Sequence, residues 1–248
     1  MVSSIARLSR PVTLLIVGLF FTSCAVTVRD IQTGPGFTAD ALVAGGVGIA
    51  GIIPHEREIA DADQLDLSEL LGSELRAGAP ALKAESGLTT LSALGDPRAQ
   101  AVKELSGGGT LSDATLAALS GREGLSFRFI AFVRLDDDTI EQNSTTEFVQ
   151  GGGSRTTYET RRHTTATLFV YDTETATLGW RGTADKDDQE QSNTSTATSE
   201  DTANELLGGL INEALTGESA YHVPPTPLSE MLEPIFEGFA TALFGEGG

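Results

Sequence analysis

The 248-residue chain has one cysteine, one tryptophan and three histidines, and 16 lysines and arginines stand against 35 aspartates and glutamates. A single thiol excludes an internal disulfide and a cysteine-based metal site. A formal net charge of −19 repels phosphate backbones and anionic head groups, which argues against nucleic-acid binding. His55, His163 and His222 are scattered, with no HxxxH or HExxH spacing, and no G-x-S-x-G elbow occurs. The readable metal-hydrolase and serine-hydrolase patterns are therefore missing, and no catalytic residue is assigned. No apolar run reaches the roughly 20 residues of a membrane-spanning helix. There is no internal repeat.

What is present begins with a leader. Arg7 and Arg10 precede the apolar run 12–21, and Phe21-Thr22-Ser23-Cys24 follows. A basic start, a short apolar core and small residues before a cut describe a secretory signal. Cys24 at its end is the expected site of acylation, with palmitate-type chains anchoring the protein stably when more than one is attached. Ala25, in place of an aspartate after the cysteine, favours the outer membrane facing the periplasm. Cleavage would remove Arg7 and Arg10 and leave a mature charge of about −21.

Residues 25–40, with Gly34-Pro35-Gly36, read as a tether. Residues 42–53 read as a buried glycine-rich strand ended by Pro54. Within it Gly46-Val47-Gly48-Ile49-Ala50-Gly51 has the spacing of a dinucleotide fingerprint. The motif needs a helix directly after it, and Ile52-Ile53-Pro54 follows instead. No nucleotide or other cofactor is expected.

Leu67, Leu70, Leu71 and Leu75 recur at helical spacing, with Asp66 and Glu69 as a capping box and Gly78 and Pro80 as the stop. Asp96 before Pro97 predicts a second helix start, and Ser112 a third. Leu125, Phe127, Phe129, Ala131, Val133 and Leu135 alternate as a strand, which Asp136-Asp137-Asp138 is expected to end. A second strand over 157–171 would complete a long polar hairpin, and a third is expected over 178–184. Residues 185–201, almost without apolar side chains, read as a mobile loop. Leu206 to Leu215 read as an amphipathic helix, Pro224 to Pro227 as a stiff connection, and 228–243 as an apolar-striped C-terminal helix.

Two charged clusters stand out. Asp136 to Asp138 lack the glycine curl and the further acid of a chelating loop, so no metal site is read there. Arg155, Arg161, Arg162 and His163 form a basic island in an acidic chain. Cross-strand pairing with acids such as Glu141 and Glu147 accounts for them; the sharper reading makes Arg155, Arg161 and Arg162 contacts for a partner.

The run Leu168-Phe169-Val170-Tyr171-Asp172-Thr173-Glu174-Thr175-Ala176-Thr177-Leu178-Gly179-Trp180 resembles a hairpin of periplasmic lipoproteins similar to CsgG and the penicillin-binding-protein activator LpoB. That pattern reads Val-x-Asp-x-x-Thr-Gly, then an apolar residue and Trp; Ala176 stands at the glycine. The resemblance implies a lipid-anchored envelope protein serving cell-wall synthesis or secretion assembly.

The expected architecture is α/β: a mixed β-sheet flanked by helices, with a long polar β-hairpin insert and a C-terminal amphipathic helix. Residues 1–23 would be the signal, 24–40 the tether, 41–220 the periplasmic domain and 221–248 the proline-rich connection and last helix. The expected function is non-catalytic binding or regulation of another envelope protein. A periplasmic enzyme with a dispersed site and a CsgG-like pore component are the alternatives.

Overall fold

The computed structural model describes residues 26–56, 58–122, 124–149, 153–197 and 222–245. Cys24, the leader and the helix expected over 206–215 lie outside the described residues. A mixed six-stranded sheet runs in the order β1-β6-β5-β4-β2-β3. The strands are β1 (Arg29–Thr33), β2 (Val47–Ile53), β3 (Ala84–Glu85), β4 (Phe129–Val149), β5 (Gly153–Asp172) and β6 (Thr177–Ala197). β2 is parallel to β3 and β4; β4, β5, β6 and β1 are antiparallel in succession. Five helices are described: α1 (Ala39–Gly45), α2 (Asp61–Gly78), α3 (Gly87–Ser106), α4 (Asp113–Ser120) and α5 (Leu228–Phe244).

Helices cover both faces of the sheet. On one face, Leu67, Leu71 and Leu75 of α2 and Leu232, Ile235, Phe236 and Phe239 of α5 pack on Ile49, Ala131, Val133 and Leu168. On the other, Leu94, Ala101 and Leu105 of α3 and Leu116 and Leu119 of α4 pack on Ile130, Phe132, Phe169 and Tyr171. β4 and β5 therefore present apolar side chains to both layers, so the alternation seen from Phe129 to Leu135 is half of the pattern. The apolar stripe of α5 is docked as expected. Trp180 is 3% exposed and meets Phe239 edge-on at 6.2 Å. Full burial of each such side chain is worth about 1.5–3 kcal/mol.

β2 is buried along its whole length. A Cβ on Gly48 would stand 2.3 Å from the Phe127 ring, so the close approach of that ring accounts for this glycine.

Several local expectations need correction. The run 42–53 is not one strand: Thr38 accepts from Ala41 N and starts α1, and β2 begins after Gly46. Residues 25–40 are more than a tether, since β1 pairs with β6 through Arg29↔Thr183 and Thr33↔Trp180. α2 starts at Asp61, ahead of the Asp66/Glu69 box, with Asp61 and Asp63 favourably placed in its first turn. Helix α3 already runs from Gly87, but it kinks at Gly95, whose φ of 56° is non-helical, and restarts at Asp96-Pro97 as the sequence predicts. Ser112 does cap α4, accepting from Thr115 N.

The largest correction concerns the polar stretches. Asp136 to Asp138 do not end β4. They sit at a bulge, between Leu135↔Ala166 and Asp137↔Thr165, after which the ladder continues to Val149↔Gly153. The stretch 185–197, expected as a mobile loop, is strand β6, paired with β5 from Asp185↔Thr165 to Ala197↔Gly153. Residues 198–201 lie outside the described residues. The expected hairpin is thus a three-stranded arm. Its backbone groups find partners along β5, and its threonines suit an extended chain, so it forms without an apolar stripe.

Candidate functional site: the arm and the cleft at its base

Beyond Arg134 on β4 and Thr183 on β6, the neighbouring strands β2 and β1 have ended. From there β4, β5 and β6 continue by themselves. The 11 residues 139–149 reach roughly 35 Å at about 3.3 Å per residue. Side chains 141–148 of β4 are all exposed, and Phe148 near the tip is 90% exposed.

Charge is ordered across the arm. The central strand β5 carries Arg155, Arg161 and Arg162, while residues 136–149 of β4 carry five acids and no lysine or arginine. On β6 beyond Thr183, Asp185, Asp187, Asp188 and Glu190 accompany one base, Lys186. The register sets Glu141 opposite Arg161 and Glu147 opposite Arg155. The register thus sets opposite charges across the strands as the sequence suggests.

The three candidate arginines take different positions. Arg155 is exposed. Arg161 is half-exposed and pairs with Glu159 of its own strand. Arg162 is 9% exposed and holds Asp138 in a bidentate pair, both contacts at 2.7 Å, while its Nη1 donates to the Thr226 carbonyl at 2.7 Å. The fork of the guanidinium matches the carboxylate, which gives the strong form of this contact. Asp136 is paired with Arg134 at 2.5 Å and accepts from Thr167. Asp137 accepts from Thr139 at 2.5 Å. The three aspartates are therefore each committed to the arm's root, and they form no chelating loop.

Residues 222–227 lie as a strap over one face of this root. Thr160 donates to the Val223 carbonyl at 2.8 Å, Thr226 donates to Asp188, and the Tyr158 and His222 rings meet edge-on at 5.1 Å. Prolines at 224, 225 and 227 restrict the strap's backbone. The strap leads directly into α5, so arm and core helix are joined by a short stiff link.

Below the strap is a cleft of about 550 Å³, bounded by the start of α2, the start of α5 and the root of β4. Ile59, Leu67, Leu135 and Leu228 supply apolar wall, and Glu56, Glu58, Asp63 and Asp66 supply an exposed acidic rim. His55 lies on the same rim, 3.7 Å from Glu56. His163 lies on the opposite face of the arm, 2.7 Å from Asp187, and His222 is in the strap. The three histidines are therefore not gathered into one site. Among the described residues, no group of three His, Cys, Asp or Glu could hold a metal.

The hairpin turn after β5 serves the fold. Asp172 accepts from Glu174 N at 2.9 Å and receives both Nε and Nη2 of Arg128, at 2.9 and 2.6 Å. Burial pushes the Asp172 carboxyl up, but the Arg128 and Glu174 hydrogen bonds outweigh it and hold it below the usual range. Ala176 has φ of 52°, the left-handed conformation that glycine adopts without cost. The sequence could not show whether alanine preserved the turn. It does, with strain at one residue.

The cleft escaped the sequence because its walls come from segments near 58, 67, 139 and 228. The acids of 56–66 were visible, but nothing in their spacing tied them to Asp138.

Neither a protein-family model nor a curated protein sequence matches the chain. Among solved structures the chain is similar to a PelC dodecamer from Paraburkholderia phytofirmans, with 15% identity over 65% of this chain and 81% of that one and a TM-score of 0.34. It is also similar to the hypothetical protein CT253 from Chlamydia trachomatis, with 13% identity, 81% and 96% coverage and a TM-score of 0.39. A third likeness is to lipoprotein GNA1162 from Neisseria meningitidis, with 7% identity, 69% and 98% coverage and a TM-score of 0.32.

Proposed function

We propose that this protein is a non-catalytic outer-membrane lipoprotein, anchored through acylated Cys24 and facing the periplasm. Its arm binds or regulates another envelope protein, in cell-wall synthesis or in secretion assembly, as the CsgG- and LpoB-like hairpin suggests. One observation carries the reading: three strands run on past the last covering helix for roughly 35 Å, and β4 exposes every side chain from 141 to 148. Neither the core nor the sheet needs them. An exposed surface that the fold does not require is a binding surface by preference. Arg155, exposed beside Glu147, is the candidate arginine best placed to meet a partner. No helix among the described residues is long and apolar enough to cross a membrane, which suits a lipid anchor. A CsgG-like pore is disfavoured because 139–149 holds Ile140, Phe148 and Val149 among polar residues, too few for a lipid-facing row. An enzyme is disfavoured by the dispersal of the histidines.

Affinity purification from solubilised envelopes tests this. The intact chain should retain an envelope protein that an Arg155→Glu/Glu147→Arg double variant, with its cross-strand pairing kept, releases. Equal recovery with both chains would place binding elsewhere.

A further inference from the structure

The cleft under the arm opens beside an unused strand edge. β2 pairs with β4 only as far as Ile53↔Arg134. From Leu135 onward, no strand among the described residues occupies that side of β4. Leu135, Asp138 and Ile140, the first residues of this open edge, also line the cleft. We propose that the edge and the cleft together receive a basic peptide strand of the partner. Its backbone pairs with β4, and one lysine or arginine side chain enters the cleft. The proposal rests on the adapter reading above and names the chemistry of its partner.

An unpaired edge presents N–H and C=O groups that an incoming strand satisfies, while a pocket beside it reads a side chain. The apolar walls from Ile59, Leu67 and Leu135 suit the methylene stem of a long basic residue. The rim of Glu56, Glu58, Asp63 and Asp66 suits its charged head. Among the described residues Arg162 is the arginine that lines the cleft, and it is already taken up by Asp138 and the Thr226 carbonyl. A second copy of this chain is a poor occupant. Among the described residues both outer strands of the arm, β4 and β6, are acidic, and like charges on facing strands oppose pairing.

The test uses the full mature chain in detergent and three capped nonapeptides of alternating valine and threonine. One has a central arginine, one a central glutamate, and one the arginine with alternate amides N-methylated. At low salt the arginine peptide should bind saturably. The other two should bind at least about tenfold more weakly, as should the arginine peptide to an Asp63→Asn/Asp66→Asn variant. A Glu190→Gln/Glu237→Gln variant, equal in charge lost but remote from the cleft, should bind as the parent does. Absence of saturable binding, equal weakening by the remote pair, indifference to N-methylation, or self-association at the arm in place of peptide binding would each overturn the proposal. Peptide binding without any captured envelope protein would count against the adapter reading alone. Envelope capture without peptide binding would count against this inference alone.

Discussion

The same three strands pass through two environments. In the body, β4, β5 and β6 place Phe129, Phe132, Phe169, Val170 and Trp180 between two helical layers, all nearly inaccessible. In the arm they place Glu141, Arg155, Glu147 and Phe148 in water. The backbone ladder runs through both halves, apart from a bulge between Leu135 and Asp137 on β4 and a register shift at Val170–Tyr171 between β5 and β6. Only the source of stability changes. Each body side chain contributes about 1.5–3 kcal/mol through burial, whereas a cross-strand pair contributes about 0.2–1 kcal/mol. The arm is thus extended by pairing and held by its root, where Arg162, Asp138 and the strap tie it to α5. Mutations should therefore act strongly in the body, appreciably at the root, and weakly along the arm.

The largest effect is expected from truncation after Tyr221. It removes the strap and α5 and bares the face under Phe236 and Phe239. The domain should become insoluble or lose its thermal transition; an unchanged Tm would show that α5 is not part of the core. Trp180→Ala should cost about 3–5 kcal/mol in denaturant unfolding, as for other buried aromatic truncations. At the root, Asp138→Ala leaves the buried Arg162 guanidinium without its carboxylate and should cost about 3 kcal/mol. The same change at exposed Glu147 should cost under about 1 kcal/mol. Equal costs at the two positions would erase the distinction between root and arm.

The sequence conveyed the body well and the arm badly. Ser112, Asp96-Pro97 and the stripe of α5 are local signals that appear where expected, while the alternation read from Leu125 becomes strand only from Phe129. The capping pair Asp66/Glu69 misled because the helix gained a turn of aspartates ahead of it. The stretch 185–197 misled for a different reason. Lack of apolar residues was read as lack of order, yet β5 supplies its hydrogen-bond partners from elsewhere in the chain. Asp136 to Asp138 look like a strand end because three acids are costly in a core. Arg134, Thr167, Thr139 and Arg162 receive them at a bulge instead. The opposition of Arg155 and Arg161 to Glu147 and Glu141 was legible because charge in one strand could be matched to charge in the other, but the ion pair of Arg161 with Glu159 of its own strand was not. The cleft was not, since four distant segments build it.

Acid should act first on the body. Ser112 N and the Thr115, Gln100 and Ser112 side chains donate to Glu104 and lower its pKa from 4.5 to about 2. Because the folded value is depressed, this contribution is complete above about 4.5 and is lost as pH falls toward 2. Asp172 changes stability in the same direction. A Glu104→Gln variant should show a shallower loss of stability over that interval in denaturant titrations, and an unaltered slope would contradict the assignment. The smallest effect is expected at Ala176→Gly. Removing the Cβ from a left-handed residue should raise stability by about 0.5–1 kcal/mol, the flexibility gained by the unfolded chain offsetting part of the relief. A lower Tm would mean that the alanine methyl packs usefully in the turn.

The claim that the arm is the functional surface is tested most directly by photo-cross-linking in native envelopes. A photoreactive residue is placed at Thr145, on the exposed arm, and separately at Lys103, on the exposed side of α3. The arm position should yield a discrete adduct with another envelope protein, and the α3 position none. An adduct from Lys103 with none from Thr145 would move the partner to the body and leave the arm without a role.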